Sequence, residues 1–582
     1  MKAKLSWHRY RYFPYERRFA LAEVATLFGV SEAEETHDGL LVPAEAVAPE
    51  QARRLTYFAK VILPDGTVIV PDQAELEATG RTTRGKRQIT RYSAHGIHEY
   101  KGKFNPQVVR TIGNRLGLGA GARILDPFSG SGTTLLEAAH ANWNATGIDR
   151  NPLAVMISNA KIRALQLAGG PLLTQARLVC SELQGWSSRI EVGAPSEQVL
   201  EDHLGSGWKN EVSADQYLQG WFPAPVLAQV VVIRRALCQH IADAEDRRVF
   251  EVIVSDQLRD CSLQDPADLR IRRRKEPASN YPLISKSLAA IKDHINRVTS
   301  ARRVVGDLCG VQRAVLGDVR NSLTTLEGVE VDSFDAVICS PPYATALPYI
   351  DTQRLSLVMF GLLDPAEIRK TEAALVGARD INLTERRELE EELTKNPAIG
   401  LPAHLVQICR DMLVAACRPG NGFRRRNTPA LVYRYFRDMS CFFQSVLPVL
   451  RPRATAALVV GANRTTLGGT EFSIDTPRLL AAVAEECGFE VVGCEVMDTY
   501  QRYDLHQKNS INEEMLVLVR RPSHPVQYAA LRERDTHQGL EVVVGNEAVA
   551  LPLMTHQRHG KPIKSSEPWV RPSDEAQLKL GL

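Results

Sequence analysis

Apolar and polar positions repeat with two different periods along this chain, and the changes of period divide it. Near the N-terminus "FALAEVATLFGV", residues 19–30, carries its apolar positions at helical spacing. "KVILPDGTVIV", residues 60–70, reads as two short strands about an Asp-Gly turn. Residues 1–90 are therefore expected to form a small mixed segment. From about 91 to 162 the pattern is strand, Gly-rich loop, helix, strand. Residues 163–304 change to long helical periodicity, as in "APVLAQVVVIRRALCQHI" and "ISKSLAAIKDHINRV". Strand–loop–helix alternation resumes at Arg313 and runs to Arg521, interrupted by a charged helical stretch over 364–428. The remainder, 522–582, is polar and reads as an appendage.

Alternating strands and helices imply a mostly parallel sheet covered on both faces. The expected fold is thus α/β and doubly wound. Its catalytic domain is discontinuous, built from 91–162 and 305–521, with 163–304 as a helical insertion. Ligands of such sheets bind at the C-terminal ends of the strands, so the loops there are where chemistry is expected.

The first such loop lies in "ARILDPFSGSGTTLLEAAHANWNATGIDRNPLAV". A strand ends at Leu125-Asp126, the chain turns through Phe128 to Gly132, a helix begins at Thr133, and the next strand ends in Asp149. Gly130 and Gly132 let the backbone pass close to a ligand. The carboxylate of Asp149 can accept both hydroxyls of a ribose. The third glycine of a dinucleotide fingerprint is replaced by Leu135, and a P-loop lysine is missing. Asp126 would repel a pyrophosphate. The ligand is expected to be a nucleoside without phosphates.

The second loop lies in "FDAVICSPPYATALPYI", residues 334–350. Proline donates no ladder hydrogen bond, so the strand must stop at Cys339 and Ser340-Pro341-Pro342-Tyr343 must follow it as a stiff loop.

Together these residues resemble the amino-methylating DNA methyltransferases of the class I, S-adenosylmethionine-dependent kind, with a Rossmann-like fold. Asp126 through Thr134 resembles their motif I, and Ser340 to Tyr343 their motif IV. "HEYKGKFNPQVV", with Phe104, resembles the motif that packs over the methionine end of the cofactor. The resemblance implies S-adenosyl-L-methionine as cofactor. Phe104, Asp126, Phe128, Gly130, Gly132, Thr133, Asp149 and Asp318 would hold it, with Asp318 on the adenine amine. It also implies a catalytic set of Ser340, Pro341, Pro342 and Tyr343. Ser340 and the Pro341 carbonyl would accept the hydrogens of the target amine, and Tyr343 would stack on a base swung out of the duplex. A serine at the head of this loop is usual for N4-cytosine enzymes, whereas Asp or Asn is usual for N6-adenine. N6-adenine remains the alternative, and guanine N2 in RNA a further one. A non-enzymatic regulator with the same fold is disfavoured, because both loops keep the residues the chemistry would use.

Composition adds little to this. Net charge is only +3, so the basic clusters carry more information: Arg81 to Arg87, Arg270 to Lys275 and Arg424 to Arg426. The second lies in the helical insertion, which also carries Tyr217, Trp221 and Phe222, and contact with double-stranded DNA is expected there. The stretch 364–428, with Arg424 to Arg426, is the rival recognition element. "YQRYDLHQKNSIN", with His506, reads as a hairpin connection, with a loop over the target base as the alternative. Ten scattered cysteines form no C-x-x-C pair, no metal is implied, and a reducing cytoplasm fits. The first residues have no signal-peptide apolar run, and no membrane span is expected. A cognate restriction endonuclease or phage-defence proteins would be the partners such an enzyme implies.

Overall fold

The computed structural model describes residues 1–31, 33–80, 87–191, 197–212, 216–265, 272–275, 281–344, 349–498, 510–523, 541–544 and 547–550. The central sheet has seven strands that set the architecture: β1 (Arg123–Asp126), β2 (Asn144–Asp149), β3 (Gln312–Leu316), β4 (Phe334–Cys339), β5 (Leu450–Leu467), β6 (Glu490–Asp498) and β7 (Ser510–Arg520). They lie in the order β3-β2-β1-β4-β5-β7-β6, and an eighth short strand, Thr470–Ile474, pairs with the end of β5. Every neighbouring pair from β3 to β5 is parallel; β7 runs antiparallel to both β5 and β6. Strand order reverses between β1 and β4, and a crevice opens at such a reversal.

β4 ends at Cys339, as the two prolines after it require. Val337, Ile338 and Cys339 are buried, which is why the run reads as continuously apolar. Among the helices that cover the sheet are α1 (Pro14–Phe28), α2 (Pro106–Arg115), α3 (Thr133–His140), α4 (Pro152–Leu167), α5 (Leu283–Val305), α6 (Phe423–Val446) and α7 (Thr476–Glu486).

The N-terminal segment is richer than its sequence pattern indicates. It holds a five-stranded antiparallel sheet, including Lys2–Trp7 and Gly39–Pro43, as well as the expected 58–69 hairpin. It shares one hydrophobic core with the catalytic domain and the insertion. Glu23 on α1 is fully buried and accepts hydrogen bonds from Thr56, Thr111 and Asn114, which joins α1 to α2. Arg18 reaches Asp498 at 3.0 Å, tying α1 to the edge strand β6.

The insertion is helical, with α5 packed on helices Pro171–Ile190 and Ala244–Leu258. The expected boundary at 162 falls inside α4, which continues to Leu167. The aromatics of the insertion face inward: Phe222 is 2% exposed, and Tyr217 and Trp221 pack against the core. Arg273 lies over the Trp221 ring at 5.1 Å and donates to the Gly220 carbonyl. Arg274 donates to the carbonyls of Ser262, Gln264 and Asp260. These two arginines brace a turn, and Arg270 lies outside the described residues. Of the first basic cluster, Arg87 sits over Phe13 at 3.6 Å and pairs with Glu16 at 3.1 Å, while 81–86 lie outside the described residues. So do 499–509, with His506, and most of 522–582. Among the described residues no helix is long and apolar enough to cross a membrane.

Candidate active site

At the reversal point a cleft with about 870 Å³ of open space runs between the ends of β1, β2 and β4. Its floor is the Gly-rich loop. The Phe128 amide donates to Asp126 at 3.1 Å, and the Ser129 amide to the Ile148 carbonyl at 3.0 Å. The Gly130 amide donates to Asp149 at 2.8 Å, as does the Asn151 amide to the other oxygen. From below, the Ser158 hydroxyl and the Lys161 ammonium, both on α4, donate to the carbonyls of Gly130 and Ser131 at 3.0 Å each. The loop is therefore held from β2 and α4 and is preformed.

Gly132 caps α3 with φ +75°, and a Cβ there would lie 2.8 Å from the Ser158 side chain. Glycine is required on both counts. The cleft is lined by Phe104, Asp126, Phe128, Gly130, Thr133, Asp149, Asp318, Ser340 and Pro342 of the expected residues. Gly132, Pro341 and Tyr343 sit immediately beside that lining, not in it.

The cleft lining carries three acids, Asp126, Asp149 and Asp318, and three basic residues, Lys103, Arg150 and Arg320. Burial pushes Asp126 up to about 7 and Asp149 up to about 6, against the hydrogen bonds that favour their ionised forms. Both would gain from a cationic, hydroxyl-bearing ligand. Asp318 behaves otherwise. Burial raises it, but the hydrogen bonds and charge of Arg320, with Arg150 nearby, outweigh burial and hold it below the usual carboxylate range. Arg320 grips Asp318 through Nε and a terminal nitrogen at 2.9 and 2.7 Å, and Arg150 pairs with the same Oδ2 that takes the terminal nitrogen.

At the end of β4 the Ser340 hydroxyl donates to the Val459 carbonyl of β5 at 3.0 Å. Its proton is committed there, so what it offers the cleft is lone pairs. Pro341 is buried, and Pro342 faces the cleft. The Tyr343 hydroxyl donates to Glu514 on β7 at 2.7 Å.

Several site residues escaped the sequence reading. Tyr100 packs over the loop, 3.3 Å from where a Cβ on Gly130 would be, and Tyr349 lines the cleft with it. Tyr100 stands inside the quoted "HEYKGKF" stretch, so its signal was present. Ala374, Leu375 and Val376 form a wall, positioned by Arg320 donating to the Ala374 carbonyl at 2.7 Å. No local pattern marks them.

The residues fit S-adenosylmethionine. Aromatic rings at Tyr100, Phe104 and Phe128 suit its apolar parts. Buried Asp126 and half-buried Asp149 suit its ribose hydroxyls, ammonium and sulfonium, and each Asp149 oxygen keeps a lone pair beyond its amide.

Strand order and cleft are those of the class I methyltransferase fold, and the sequence matches that follow imply S-adenosylmethionine as cofactor. The family model of the UPF0020, RMKL-like methyltransferase domain matches residues 97–184. The chain is 23% identical over 427 residues to the type II methyltransferase M.BsoBI of Geobacillus stearothermophilus, covering 69% of this chain and 79% of that protein. It is 24% identical over 429 residues to the type II methyltransferase M.AvaI of Nostoc sp., covering 69% and 80%. Among solved structures TrmN from Thermus thermophilus aligns at 10% identity with a TM-score of 0.28, covering 89% of this chain and 99% of that one. The resemblance of the motifs to the site-specific DNA methyltransferase family is borne out by the sequence matches.

Proposed function

We propose that the chain methylates the exocyclic N4 amine of a cytosine flipped out of double-stranded DNA at a specific sequence. In this reading it acts in the cytoplasm as the modification member of a restriction or phage-defence system, beside an endonuclease of the same specificity. The observation that carries it is the Ser340 hydroxyl, whose proton is donated to Val459 and whose lone pairs remain for a ligand amine.

An exocyclic amine is a poor nucleophile because its lone pair is delocalised into the ring. Acceptors on its two hydrogens favour a more tetrahedral nitrogen and stabilise the positive charge that develops. Ser340 and the Pro341 carbonyl are those acceptors. The two prolines keep the loop from relaxing away, and Tyr343 gives the base a stacking surface worth about 1–3 kcal/mol. The cofactor supplies an electrophilic methyl group on a sulfonium. When the nitrogen–carbon bond forms the carbon–sulfur bond breaks, and the product amine loses its proton to solvent. Asp149 holds the ribose and Phe104 covers the methionine end.

The serine favours cytosine N4; adenine N6 is the second reading, because it presents the same amine beside a ring nitrogen. Incubation with unmethylated DNA and isotope-labelled S-adenosylmethionine, digestion to nucleosides and mass spectrometry separate the two. Labelled N4-methylcytosine supports the reading. Labelled N6-methyladenine replaces the base and keeps the site. Label in RNA alone overturns the polymer.

A further inference from the structure

Tyr343 is seated by two residues from two strands outside its own loop, and a third holds its neighbour Ala344. Its ring lies across Gly461 of β5, so that a Cβ there would come within 3.0 Å of the ring edge. Its hydroxyl donates to Glu514 of β7 at 2.7 Å. Gly461 and Glu514 are direct register partners across the antiparallel β5–β7 ladder, so floor and anchor of this seat face each other. The register shifts immediately afterwards, between Gly461 and Asn463, and Asn463 donates to the Ala344 carbonyl at 2.8 Å. A bulge of this kind re-aims a side chain.

We propose that Glu514 is the positioning residue that fixes the stacking face of Tyr343 for the incoming base. This inference rests on the proposed base-clamp role of Tyr343 and deepens it. A phenylalanine would offer the same stacking ring but could not be held at its tip. Burial and the neighbouring carboxylate raise the phenol well above its ordinary value, so it stays a donor throughout the working pH range. With that edge of the ring resting on the glycine and its hydroxyl held by Glu514, the plane of the ring is fixed from two directions. A ring free to rotate about its first two side-chain torsions would have to be ordered on each encounter, and that cost would fall on the methyl-transfer step, not on cofactor binding.

The test compares the full-length chain with Glu514→Ala, Glu514→Gln, Tyr343→Phe and the Glu514→Ala/Tyr343→Phe double variant. Single-turnover methyl transfer to unmethylated DNA and S-adenosylmethionine affinity without DNA are both measured. We expect Glu514→Ala and Tyr343→Phe each to slow transfer about tenfold or more with cofactor affinity unchanged. The double variant should be no slower than either single one, because both remove the same bond. Glu514→Gln, which still accepts from the phenol, should recover most of the rate. Unchanged transfer in Glu514→Ala, an additive double variant, or loss of cofactor affinity in step with rate would each overturn the inference. The wild-type chain separates the two readings. If it labels RNA and not DNA, the DNA reading falls, and the same comparison is read on RNA.

Discussion

The Gly130 amide donates to the Asp149 carboxylate at 2.8 Å, so the tip of β2 holds the loop that follows β1. One acid therefore has two tasks. It fixes the loop and, in the proposed role, keeps lone pairs for a ribose. Its half-buried position makes both tasks sensitive to substitution, because an amide shielded from water and left without an acceptor costs up to about 1–3 kcal/mol.

Asp149→Ala should lose S-adenosylmethionine affinity by at least roughly tenfold, from the loosened loop and the missing ribose acceptor together. Isothermal titration checks this, with circular dichroism to show the fold retained. Wild-type affinity in this variant would remove Asp149 from the cofactor site.

Cofactor binding should depend on pH with a definite sign. Burial raises Asp149 to about 6 and Asp126 to about 7. A bound sulfonium and ammonium lower both values, so binding releases protons. Affinity should then rise as pH rises from 5 towards 8 and level off above about 7. Titrations at pH 5, 6, 7 and 8 read the slope, and Asp149→Asn should flatten its lower part. Tighter binding at pH 5 than at pH 8 would contradict the assignment of these acids to the cationic cofactor.

If Ser340 accepts from the target amine as proposed, Ser340→Ala removes that acceptor and keeps Asp126, Phe128 and Asp149 of the cleft. A hydrogen bond to a developing charge is worth about 1.5–3 kcal/mol, so transfer should slow roughly 10- to 150-fold. Cofactor affinity should stay within about twofold. The Val459 carbonyl also loses its donor, so thermal stability is measured alongside. A rate near wild type would move amine activation to other groups.

Much of the site was legible because its constraints are local. Pro341 and Pro342 fix the end of β4 within the sequence itself, and Gly130, Gly132 and Asp149 define a loop between two short strands. What was not legible depends on distant partners. Glu514 acquires meaning only when β7 lies beside β5. The wall at Ala374 to Val376 exists because Arg320 reaches the Ala374 carbonyl across 54 residues. Lys2–Trp7 alternates over only six residues, too short to outweigh the Arg- and Tyr-rich stretch after it. Arg273 beside Trp221 shows the opposite failure. Basic and aromatic residues close in sequence suggested a nucleic-acid surface, yet Arg273 and Arg274 brace a turn of the insertion.

That outcome shifts the weight among the basic clusters. Arg424 and Arg425 are exposed at the start of α6, beside Phe423, which is 70% exposed. Arg426 donates to the Asn421 carbonyl at 3.1 Å and is partly committed to capping that turn. If the chain binds DNA as proposed, Arg424 and Arg425 are the better phosphate contacts. Each phosphate neutralised contributes about 0.9 to the slope of log affinity against log salt. Arg424→Ala with Arg425→Ala should therefore weaken DNA binding and lower that slope by about 1–2. Arg274→Ala should leave the slope alone and lower stability instead, because Arg274 serves three carbonyls of its own turn. Fluorescence anisotropy across a salt series, with chemical denaturation in parallel, measures both. A full slope in the double variant, with a reduced one in Arg274→Ala, would return the DNA contact to the insertion.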